Sequence, residues 1–119
     1  MEIPELADLI WLFEDDPECM HGDLTWPIGL HSFRLSRGAV SVLFSIDPAA
    51  GEAYISLYIG DDEVASLGRL RPLDRLRVDR GRSDYEAMKL WVQGIGEAIT
   101  LQTKPALRLS WDLKASVDW

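Results

Sequence analysis

From Phe33 onward the chain alternates apolar and polar residues with a period of two, in short runs broken by turn residues. That pattern confines most of it to antiparallel sheet. Phe33 and Leu35 alternate with Arg34 and Ser36 before a turn at Arg37-Gly38. Val40, Val42, Phe44 and Ile46 alternate with Ser41, Leu43 and Ser45, and the turn-forming stretch Asp47-Pro48-Ala49-Ala50-Gly51 follows. Ala53, Ile55, Leu57 and Ile59 alternate with Tyr54, Ser56 and Tyr58 up to Gly60-Asp61-Asp62. Val64 and Leu67 mark a short strand, and Leu76 and Val78 alternate with Arg75 and Arg77. Near the end, Leu107, Leu109, Trp111 and Leu113 alternate with Arg108, Ser110 and Asp112. Successive side chains of a strand point to opposite faces, so the apolar phase of each run predicts the core: Val42, Phe44, Ile55, Leu57, Leu109 and Trp111.

Before the alternation begins, Ile3, Leu6, Ala7, Leu9, Ile10 and Phe13 recur at helical spacing, with Leu12 off that face. The spacing predicts a helix from about Pro4 to Glu14, fading by Asp16-Pro17 because the residue before proline disfavours helical angles. Residues 84–93 fit two patterns. Ser83-Asp84-Tyr85-Glu86 resembles a capping box, and Tyr85, Met88, Val92, Ile95 and Ile99 form a helical stripe. Met88, Leu90 and Val92 also alternate, and Gly94-Ile95-Gly96 separates them from Ile99 and Leu101 as a hairpin would. Two glycines weaken a helix through this stretch, so the hairpin is preferred. The predicted fold is mainly β (α+β): an N-terminal helix packed on an antiparallel β-sandwich or strongly curved sheet, with a second helix at 84–93 as the alternative. At 119 residues, without repeats or linkers, a single domain is expected.

Charge is unevenly distributed. Residues 1–33 carry eight acids and no base, while the remainder carries twelve of each, so the net charge of −8 resides in the first quarter of the chain. Residues 69–82 hold six arginines (Arg69, Arg71, Arg75, Arg77, Arg80 and Arg82) against Asp74 and Asp79. Glu14, Asp15 and Asp16 lie at the negative end of the predicted helix dipole, the wrong sign for stability. A local rule broken in this way can mark a functional site. The arginine segment has no aromatic residue between Arg69 and Arg82 to stack on bases, and the whole chain is acidic, so nucleic acid is not the expected partner. Arg75 and Arg77 are expected on the solvent face of a strand, paired with nearby acids.

Chemistry-bearing motifs are sparse. Cys19, the only cysteine, lies near His21 and Asp23, but zinc needs about four ligands in recognisable pairs. Cys19 with His21 or His31 is the available Cys–His combination, and nothing in the sequence positions it. There is no nucleophile elbow, P-loop or dinucleotide fingerprint. No metal, no cofactor and no catalytic residue is predicted. A lone thiol, no visible signal peptide and no apolar run longer than Leu9–Phe13 lead to an expectation of a cytoplasmic protein without a membrane segment.

Tryptophan is an interface anchor, and Trp11 borders the acidic stretch while Trp26 follows it. The candidate partner-binding residues are therefore Trp11, Glu14, Asp15, Asp16, Glu18, Asp23 and Trp26. The succession of alternating strands from His31 to Trp111 resembles small β-rich immunity proteins of bacterial toxin systems. That resemblance implies tight binding to a toxin, often through an acidic surface that blocks a basic catalytic cleft. It carries no residue-level assignment. The sequence thus reads as a non-enzymatic inhibitor of a basic protein such as a nuclease toxin, with a small-molecule-binding sandwich or barrel as the alternative. Elemental analysis of the purified protein should find no stoichiometric transition metal; one zinc per chain would promote Cys19, His21 and Asp23 to ligands.

Overall fold

One helix and nine strands are formed by the described residues. In the computed structural model, residues 2–19, 25–81, 84–94 and 96–111 are described. After α1 (Leu6–Phe13) come β1 (Glu18–Cys19), β2 (His31–Arg37), β3 (Val40–Asp47), β4 (Glu52–Ile59) and β5 (Asp62–Leu70). These are followed by β6 (Leu73–Arg80), β7 (Glu86–Val92), β8 (Ile99–Lys104) and β9 (Arg108–Ser110). The strands form two antiparallel meanders, a five-stranded sheet in the order β1-β2-β3-β4-β5 and a four-stranded sheet in the order β6-β7-β8-β9. Within each sheet every strand pairs with its neighbour in sequence, and the chain changes sheets between β5 and β6. The hairpin turns after β2 and β4 place Gly38 and Gly60 at φ 63° and 60°, where a side chain would be strained.

The inner faces of both sheets meet in one core, which includes Phe33, Val42, Phe44 and Ile55 from the first sheet and Leu76, Met88, Leu90 and Leu101 from the second. Helix α1 closes it with Leu9, Leu12 and Phe13, all buried. Phe13 stacks on Phe33 at 5.2 Å and on Phe44 at 5.7 Å between ring centres. Ahead of the helix, Glu2 joins the free edge of β6: its amide donates to Asp74 O at 3.4 Å and its carbonyl accepts from Leu76 N at 2.8 Å. The sheets are linked through Arg71-Pro72, where Leu73 N donates to Gly51 O at 2.9 Å and Gln93 N to Pro72 O at 3.1 Å. The β4–β5 ladder shifts register twice, so the nine-residue edge strand β5 is bulged, a feature that discourages unwanted edge pairing.

The hairpin reading of 84–93 holds: β7 and β8 are antiparallel strands, and there is no second helix there among the described residues. Several finer expectations change. The helix begins at Leu6, because Glu5 is extended and Pro4 lies outside the first turn. It ends at Phe13, because Glu14 turns left-handed at φ 63°. Leu12 is buried: with about 100° of rotation per residue, Leu9, Leu12 and Phe13 share one arc, and Leu6 and Ile10 flank it half-buried. Val64 and Leu67 belong to a longer strand than expected, and Val64 is exposed. Val42, Phe44 and Ile55 are buried as predicted, whereas Leu57 and Leu109 are half-buried and Trp111 is 45% exposed. Strand β9 is an edge, its last ladder pair is Thr100–Ser110, and Trp111 lies just past it, where little core remains to cover it. Leu113 and Trp119 lie outside the described residues.

These burials set a ranking for substitutions. Phe44→Ala should lower unfolding free energy by roughly 3–5 kcal/mol, and Leu109→Ala by less than about 2 kcal/mol, in urea denaturation at neutral pH.

Candidate partner-binding site

The sequence candidates divide into separate environments. Glu14 caps α1 and forms an ion pair with Arg37 of β2. Arg37 also donates through Nε to Thr103 O of β8 at 3.1 Å, so one guanidinium joins the helix end to both sheets. This supplies the positive charge that the helix C-terminus lacked in the sequence. The hydrogen bond from Arg37 holds the Glu14 carboxyl below its ordinary range; slight burial opposes this, and the fields of Arg37 and Lys104 reinforce it. Close by, Lys104 lies 3.5 Å from Glu86, whose other carboxylate oxygen is buried without a hydrogen-bond partner.

Asp15, Asp16 and Glu18 line a hollow of about 50 Å³ with Ser32 and Arg34. All three acids are exposed, and none forms an ion pair among the described residues. The Asp15 carboxylate accepts from Asp16 N at 2.8 Å. Asp23 and His21 lie outside the described residues. Cys19 sits opposite His31 in the β1–β2 ladder, and buried His31 donates through Nε2 to Ile28 O at 2.8 Å. Among the described residues no three His, Cys, Asp or Glu side chains gather in a way suited to a metal ion.

Trp11 lies elsewhere. Its ring is 39% exposed and lies under the Arg80 guanidinium, 3.9 Å from the ring centre, and Arg80 is held by Asp8 at 3.2 Å. Trp26 is half-buried against His31, edge to face at 5.4 Å. The arginine segment is likewise distributed. Arg69 and Arg71 share Glu52 at 3.5 and 3.0 Å, and Arg75 stacks on Trp91 at 3.9 Å rather than pairing with an acid. Arg69, Arg71, Arg75 and Arg80 thus meet Glu52, Asp8 and two tryptophans, Arg77 lies opposite Lys89 and forms no ion pair among the described residues, and the Asp15–Glu18 acids do not dock on this segment.

The ladder registers also expose a feature that the sequence reading missed. Residues directly opposite one another share a face. The outer face of the five-stranded sheet therefore carries four rows: Asp47 and Glu52; Glu18, Ser32, Ser45 and Tyr54; Arg34, Leu43, Ser56 and Ser66; and Ser36, Ser41, Tyr58 and Glu63. Charge is confined to the flanks. The outer face of the other sheet is basic, with Arg75 opposite Trp91, Arg77 opposite Lys89, and Gln102 opposite Arg108, against one acid, Asp79, among the described residues. The signal was present in the polar phases of β2 to β4, which use serine and tyrosine where a solvent face usually carries lysine and glutamate.

No family model and no curated protein sequence matches the chain. Among solved structures, a chain of the contact-dependent growth inhibition toxin–immunity protein complex from Klebsiella pneumoniae 342 is similar in fold. The TM-score is 0.74 over 93% of this chain and 95% of that one. Sequence identity is 13%, so what the two share is the fold.

The Glu14–Arg37 pair predicts a pH effect. A carboxyl whose folded value is depressed stabilises the protein above its unfolded value, near 4.3, and loses that contribution as pH falls through the folded one. Glu14→Gln should therefore lower stability at pH 7 by no more than about 1 kcal/mol, because the pair is partly exposed, and the difference should shrink by pH 3. Urea midpoints at the two pH values measure it.

Proposed function

We propose that this chain is an immunity-type protein: a non-enzymatic, cytoplasmic inhibitor that neutralises a basic toxin domain, such as a nuclease. The observation that carries the reading is the near full-length fold similarity to a chain of a toxin–immunity protein complex. The free carboxylates of Asp15, Asp16 and Glu18 support the sign of the partner. They cluster in one hollow around the single cation Arg34, with no ion pair among the described residues, so a net negative charge remains whose self-repulsion a basic cleft would relieve. Asp23, the next acid in the sequence, belongs to the same proposed set and lies outside the described residues. Such a field raises the encounter rate with a positive surface, and the contact then denies the cleft to its substrate. Trp26 would add apolar anchoring, whereas Trp11, which lies under Arg80, stands apart from this patch. Glu14 acts indirectly in this scheme, since Arg37 occupies it and fixes where the acidic segment leaves the helix.

Co-expression tests the reading. Where a large toxin gene lies immediately upstream of the gene for this chain, its toxin domain should arrest growth when produced alone. Co-production of this chain should restore growth. A lack of protection, or toxicity from this chain itself, overturns the reading. The double variant Asp15→Lys with Asp16→Lys should keep its urea midpoint within about 0.5 kcal/mol of wild type. It should associate with the toxin domain roughly tenfold more slowly at low salt, with the deficit fading as salt rises.

A further inference from the structure

The two sheets present opposite outer surfaces with different chemistry, and only one of them suits a basic partner. We infer that the outer face of the five-stranded sheet is the main docking surface for that partner, a folded protein with a basic surface. This assignment rests on the function proposed above and adds the face that carries it.

Three observations converge. The first is charge. The acids Glu18 and Glu63 flank the face on opposite sides, and Asp15 and Asp16 join it through the hollow they share with Ser32. Among the described residues three cations reach the face. Arg34 lies in that hollow among three carboxylates. Arg69 and Arg71 lie at the other end, where both pair with Glu52 beside Asp47 and Arg69 also donates to the Tyr54 hydroxyl at 3.2 Å, so acids still outnumber bases across the face. The opposite side of the molecule carries Arg75, Arg77, Lys89 and Arg108 against Asp79, and it would repel the same partner. Charge complementarity therefore selects one face.

The second observation is composition. Between the charged flanks the central strands offer Ser45, Ser56, Tyr54 and Tyr58 around Leu43. Serine and tyrosine bind protein surfaces at low cost in side-chain entropy: the hydroxyls adapt their hydrogen bonds, and the tyrosine ring supplies rigid apolar area. Most of this central set is half-exposed, and the Ser32–Ser45 hydroxyls already hydrogen-bond at 2.8 Å, so little ordering remains to be done on binding.

The third observation is size. Five strands at the usual spacing span about 19 Å, and an eight-residue strand runs about 27 Å. The resulting area of roughly 500 Å², extended by the acidic corner, approaches the roughly 800 Å² per partner of a specific interface.

The test uses the purified toxin domain encoded upstream and the intact chain. Ser45→Arg with Ser56→Arg puts two cations at the centre of the face, and affinity should fall by about a hundredfold or more. Arg77→Glu with Lys89→Glu, on the opposite face, should leave affinity within about twofold. Hydroxyl-radical footprinting of the wild-type complex gives a readout that needs no variant: Tyr54 and Tyr58 should be protected and Trp91 should not. Wild-type affinity in the arginine variant, or protection of Trp91 instead of the tyrosines, overturns the assignment and leaves the immunity reading standing. No binding by the wild-type chain overturns both.

Discussion

The seating of Phe13 against Phe33 and Phe44 is the contact on which the rest of the molecule depends. It places the end of an eight-residue helix over the core that two separate sheets share. A helix this short is marginal in isolation, so burial of Leu9, Leu12 and Phe13 maintains it rather than intrinsic propensity. With Phe13 fixed, Glu14 falls within reach of Arg37, and Arg37 reaches Thr103 of the second sheet. Packing thus comes first, and the charge network follows its geometry.

That geometry disposes of the acidic surplus unevenly. Asp8 and Glu14 are consumed internally by Arg80 and Arg37, while Asp15, Asp16 and Glu18 are carried outward to the β1 corner of the sandwich. The left-handed turn at Glu14 separates the two groups. An ordinary residue in this conformation costs about 1–2 kcal/mol, which the ion pair and the buried helix face together offset. The molecule ends with a polar, acid-flanked sheet on one side and a basic sheet on the other. Any charged partner would therefore approach with a preferred orientation before contact is made.

Much of the fold was legible because a strand writes its inward face into every second residue. Val42, Phe44 and Ile55 were readable for that reason, as was the β7–β8 hairpin, where Gly94 and Gly96 argued against continued helix. Trp111 shows the limit: its phase is apolar, but it lies just past the last ladder pair of an edge strand and stays 45% exposed. The acidic segment was legible as composition, and its division was not. Nothing local links Glu14 to Arg37, 23 residues on, or Asp8 to Arg80, 72 residues on.

The sequence by itself therefore determined where most of the strands lie, which side of β2, β3 and β4 points inward, and that the net charge is concentrated in its first quarter. The tertiary structure alone decided which acids remain free, that Trp11 sits with Arg80 rather than with the Asp15–Glu18 acids, and that the serines and tyrosines of neighbouring strands merge into one surface. The physical reason is the range of the forces involved. Periodicity reports the direction of a side chain relative to its own backbone, whereas a surface or an ion pair depends on which distant strand is placed opposite, and that is set by register and core packing.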